Sequence, residues 1–76
     1  MEVKMPEMDR KFYGKQYRLQ FQRDMPEKEA KQFIKEHKNM MRFHLVKSDF
    51  KNKIYPNINY YFIYARSKLR DARGLP

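Results

Sequence analysis

The chain has no cysteine and no tryptophan, only two glycines, and half as many acidic as basic side chains. Without cysteine there is neither a disulfide framework nor a thiolate metal site to supplement a small core. Gly14 and Gly74 stand far apart, so no glycine-rich turn is available to cradle a phosphate. No apolar run approaches the ~20 residues needed to span a bilayer. The first ten residues mix Glu2, Glu7 and Asp9 with Lys4 and Arg10, unlike the apolar stretch of a secretory leader. A cytoplasmic location is the expectation.

Catalytic groups are also sparse. His37 falls on the apolar stripe of an expected helix, and His44 lies in an expected strand without a second ligand at metal-binding spacing. Asp9, Asp24, Asp49 and Asp71 fall in expected arm, cap, loop and tail positions, with no pair set for acid–base work or for Mg²⁺. Ser48 and Ser67 are the only serines, and neither lies in a nucleophile elbow. The residues point away from an enzyme, and no cofactor or small-molecule ligand is expected.

What is present is charge and aromatic surface. Eighteen Lys and Arg against nine Asp and Glu leave a formal net charge of +9, and six Phe and six Tyr supply large rings. A disordered polycation carries few such rings, so a folded domain is expected. Seventy-six residues allow one core; a chain this short buries about 60–65% of its unfolded surface.

Residues 1–11 are polar, broken by Pro6, and predict a flexible arm. From Phe12 to Gln22, Tyr17, Leu19 and Phe21 alternate with Gln16, Arg18, Gln20 and Gln22, the period of a half-buried strand. Asp24 and Glu27 have capping-box spacing around Pro26, and Ala30, Phe33, Ile34 and His37 then recur at helical spacing to about Lys38. Arg42 to Lys47 predicts a second strand. Ser48 to Asn57 is a turn-rich loop, and Asn57 to Ala65 is a third strand, apolar on both faces and therefore central. The expected architecture is α+β: a single-layer three-stranded sheet in the order β-α-β-β, with one amphipathic helix on one face. Residues 12–66 form the domain, and 67–76 form a basic tail or a short helix ended by Gly74. If the helix crosses over between parallel first and second strands, the connection is right-handed and the third strand lies between them, antiparallel to both.

Charge is unevenly placed along the chain. Residues 1–11 and 24–41 are each neutral, whereas 12–23, 42–56 and 57–76 each carry +3, which recovers the +9. The surplus thus belongs to strands, loop and tail, and such a surplus attracts phosphates. One helix covers one sheet face, leaving the other open, where tyrosines could stack on unpaired bases. These features predict a non-enzymatic nucleic-acid binder, DNA or RNA. Its candidate contacts are Arg18, Lys47, Lys51, Lys53, Arg66, Lys68, Arg70 and Arg73, with Tyr61 or Tyr60 for stacking. Arg66, Arg70 and Arg73 would share one side of a helix, and the loop lysines are interleaved with Phe50 and Tyr55. The rival reading is a small interaction module, of the kind a virus or phage encodes, docking on an acidic protein through the open sheet face. Burial of that face in a homodimer is the bland alternative for its tyrosines.

Overall fold

The computed structural model describes residues 6–74; residues 1–5 of the expected arm and 75–76 of the expected tail lie outside them. The protein is α+β, with an antiparallel sheet and two helices. The elements run β1 (Asp9–Phe12), β2 (Lys15–Leu19), β3 (Met25–Pro26), α1 (Glu27–His37), β4 (Met41–Lys47), β5 (Tyr60–Ser67) and α2 (Lys68–Ala72).

The sheet has five strands rather than three. Residues 9–11, expected in the arm, form most of β1 and pair with β2 through a two-residue turn. Tyr13 and Gly14 both have positive φ, 56° and 75°. That combination turns the chain with the same twist as the flanking strands. Beyond β2 the chain detours. Gln20 N–H donates to the Ile63 carbonyl, while Met25 pairs with Tyr61. Five residue steps on one side oppose two on the other, so Phe21 to Asp24 leave the sheet before β3 rejoins the same side of β5. Phe21 uses the detour to meet Phe33 of α1 edge-on at 5.0 Å.

β5 is the centre. β2 and β3 lie antiparallel along one side of it and β4 along the other. Its five consecutive buried residues, Phe62 to Arg66, match a strand covered on both faces. On one face, Met25, Ala30 and Ile63 form a core with Phe21, Phe33, Phe43 and Leu45, beneath α1. α1 begins without a capping box. Its N-cap is Pro26, with no side-chain cap, and the Asp24 carboxylate instead accepts a hydrogen bond from Ser48 Oγ. The helix start is tied to the sheet by Glu27 N–H, which donates to the Asn59 carbonyl at 2.9 Å.

The opposite face is not open. Tyr17, Leu19, Phe62 and Tyr64 are buried there, with Phe12 and Val46 packed against them. The β1–β2 hairpin curls over this face and delivers Phe12 onto His44 at 3.9 Å, stacked, and edge-on to Tyr64 at 5.3 Å. Arg10 lies 5.2 Å from the Phe12 ring centroid, and Tyr64 hydroxyl donates to the Glu7 carbonyl. Burial, opposed by the Arg10 cation, pushes the Tyr64 hydroxyl above its ordinary range. A second hydrophobic core therefore occupies the face expected to be free for stacking or docking.

Candidate nucleic-acid interface

Helix α2 starts at Ser67, whose hydroxyl accepts from Leu69 N–H at 3.1 Å. The helix brings Asp71 to the end of the sheet, where three cations from three strands meet it. Lys15 Nζ is 3.2 Å and Arg66 Nε 2.8 Å from Oδ1, while Arg42 Nε donates to Oδ2. Partial burial disfavours the charged carboxyl, but the hydrogen bonds from Arg42 and Lys15 and the field of Arg66 outweigh it. They hold Asp71 below the usual carboxylate range. Three positive charges share one negative charge, so the cluster retains a surplus of two.

Arg66 does not serve as a surface contact. It lies in β5, its side chain is 1% exposed, and Nη1 donates to the Gln16 carbonyl at 3.2 Å. The strand begins three residues later than expected, at Tyr60, and runs two further, to Ser67, so Arg66, Arg70 and Arg73 do not line one helix face. Arg66 anchors α2 to the sheet instead.

The remaining candidates divide into two groups. Arg18 lies on the α1 side of the sheet, opposite Ala65. There it lines a cleft of about 300 Å³ together with Gln16, Gln20 and Arg70. Lys68, Arg70 and Arg73 are exposed on α2 and its C-cap. Across this end stand Lys15, Arg18, Arg42, Arg66, Lys68, Arg70 and Arg73, against Asp9 and Asp71. Seven minus two leaves +5 of the chain's +9.

Lys47 forms the second group with Lys51 and Lys53. Lys47 pairs across the sheet with Tyr61, whereas Arg18 pairs with Ala65. Four residues separate those partners, roughly 14 Å along β5, and the two cations lie on opposite sides of it. Lys51 and Lys53 are exposed on the loop that follows β4. Within that loop Asn52 Oδ1 accepts from Ile54 and Tyr55 N–H, a turn that leaves Ile54 and Tyr55 exposed. Phe50 folds back edge-on to Tyr60 at 4.8 Å, and Asn52 Nδ2 donates to the Tyr60 hydroxyl. Tyr60 is thus engaged by the loop, and Tyr61 is half-buried on the α1 side.

Tyr13, missed in the sequence, is the most exposed ring at 87%. Its signal was the Tyr–Gly step between two alternating stretches, a short-turn signature that places the first residue at a hairpin tip. Among the described residues no cluster of His, Asp or Glu is placed to hold a metal ion, and no helix is long and apolar enough to cross a membrane. The fold and this basic end define a small α+β protein. No family model, curated protein or solved structure matches the chain.

Proposed function

We propose that the protein is a non-enzymatic nucleic-acid binder whose phosphate contacts lie at the α2 end of the sheet. The observation that carries this reading is the excess of cations there: Lys15, Arg42 and Arg66 from three strands share the single carboxylate of Asp71, beside a cleft lined by Arg18 and Arg70 and a helix that also carries Lys68 and Arg73. Arg18, Lys68, Arg70 and Arg73 are the surface members. Gln16 and Gln20 in the same cleft add neutral hydrogen-bonding groups suited to sugar and phosphate oxygens. No exposed ring lines the cleft, so binding is through the backbone of the nucleic acid and does not depend on base sequence.

Four neutralised phosphates imply a slope of log affinity against log salt near −3.6 on duplex DNA. Between 50 and 200 mM salt the affinity then falls about 150-fold. Recruiting Lys47, Lys51 and Lys53 as well raises the slope to about −6.3. Fluorescence polarisation with a labelled 12-mer duplex and the matching single strands of DNA and RNA measures the slope. Arg18→Gln/Lys68→Gln/Arg70→Gln/Arg73→Gln should nearly abolish binding, while Lys47→Gln/Lys51→Gln/Lys53→Gln should leave it within a few-fold. Absence of binding to all probes at 50 mM salt refutes the reading, and the reverse pattern of variants moves the site to the loop.

A further inference from the structure

The outer side of β4 is an unpaired backbone edge. Ser48 N–H donates to the Tyr60 carbonyl at 2.8 Å and Lys68 N–H to the Met40 carbonyl at 3.0 Å. In an antiparallel ladder this alternation makes the even-numbered residues of β4 bond to β5 and turns the odd-numbered ones outward. Met41, Phe43, Leu45 and Lys47 therefore present N–H and C=O groups away from the sheet. β4 pairs with β5 alone, and no backbone partner meets those groups among the described residues. Of the other edge strands, β3 is two residues long and contains Pro26, and β1 is only four residues long and carries charged Asp9 and Lys11 at its outward positions. Short, charged edges resist strand addition, whereas a long edge with apolar residues invites it.

Charge around the β4 edge selects the occupant. Lys28, Glu29, Gln32 and Glu36 line the groove on the other flank of α1, beside Phe21 and Met25. At about 100° per residue, the flank towards β4 carries Lys31, Ile34, Lys35 and Lys38. The side chain of Lys47 lies on the same side of the sheet, since it opposes Tyr61. Glu27 is the one acid on that flank, and it is paired with Lys31 at 3.1 Å. On that flank Lys31, Lys35 and Lys38 join Lys47 against one engaged carboxylate, which gives the β4 side of the sheet a positive balance.

We propose that the β4 edge accepts an extended acidic peptide segment of a partner protein as an added strand. Its outward amides and carbonyls bond to Phe43 and Leu45. Alternate acidic side chains reach the α1 lysines and Lys47, and the intervening apolar side chains extend the surface of Val46 on the other face. A second copy of the chain is a poor occupant, because it sets two charges of +9 edge to edge. This site is centred on Phe43 and Leu45, whereas Met41 and Arg42 at the start of β4 belong to the α2 end.

The test titrates an acetylated, amidated (Val-Glu)4 peptide into the full-length protein and follows backbone amides by NMR and hydrogen exchange. Phe43 and Leu45 amides should gain at least tenfold protection while His44 and Val46 stay unchanged, and (Val-Lys)4 should not bind. Leu45→Pro removes an outward donor without removing a bond to β5. It should weaken peptide binding at least tenfold while the circular dichroism spectrum is retained. Should that variant unfold, N-methylation of the peptide on one set of alternate residues must abolish binding and on the other set spare it. Lack of binding at 1 mM peptide, equal binding of (Val-Lys)4, or insensitivity to N-methylation overturns the proposal. Protection of Phe43 and Leu45 that grows with protein concentration alone assigns the edge to a second copy and also overturns it.

Discussion

Phe12→Ala tests the closure of the second sheet face. The ring stacks on His44 at 3.9 Å and meets Tyr64 and Tyr17 edge-on at 5.3 and 5.5 Å. Ring pairs contribute about 0.5–1.5 kcal/mol each beyond area burial. Full truncation of a core Phe costs about 3–5 kcal/mol. Phe12 is only half-buried and rides on a hairpin that can settle, so the expected loss is about 2–3 kcal/mol. A domain of this size has total stability of order 5 kcal/mol and a urea slope near 1 kcal/mol per molar. The midpoint should therefore drop by about 2–3 M urea, and a dye that reports exposed apolar surface should brighten as Tyr17, Phe62 and Tyr64 open. Tyr13→Ala, at the adjacent but exposed tip position, serves as the control, with a change within about 0.5 kcal/mol. A Phe12→Ala midpoint equal to the parent's means that the hairpin does not seal the face.

The Asp71 cluster predicts an acid limb in stability. A carboxyl depressed in the folded state stabilises fully above its unfolded value, near 4, and loses that contribution as pH falls through the lower folded value. Urea midpoints measured from pH 5 down to pH 2 should fall for the parent, and Asp71→Asn should be less stable at pH 7 with a shallower acid limb; an unchanged limb refutes the assignment. Gly14→Ala should cost about 1–2 kcal/mol from the left-handed backbone alone, since an added Cβ meets nothing within 4 Å. A thermal melt checks it, and a neutral result rules out the two-residue turn.

Much of the molecule was legible one element at a time. Helix α1 lies within one residue of its expected bounds, because an uninterrupted 3.6-residue apolar period has no competing reading. The same holds for β4, whose expected start was one residue late, and for the central, doubly covered character of β5. Local signals misled where a long-range partner intervened. Asp24 has N-cap chemistry, yet Ser48, twenty-four residues on, takes its carboxylate. Tyr13–Gly14 is a hairpin signal inside what reads as a single alternating stretch, so by local pattern β1 reads as part of an arm. The candidate site suffered most at Arg66, where extension of β5 changed an expected surface cation into a buried anchor.

The chain alone determined the basic surplus, its absence from α1, and the alternation that makes an α+β sheet, since composition and period are properties of nearby residues. Only the tertiary structure decided which cations meet. Lys15, Arg42 and Arg66 converge on Asp71 because strand pairing brings residues distant in sequence together at the end of the sheet. The coverage of the second face was equally invisible. It follows from the way the hairpin curls and where Phe12 lands, and these depend on sheet twist and packing across strands rather than on any local pattern. Hence the surplus of positive charge was written in the residues, whereas its concentration beside α2 required the fold.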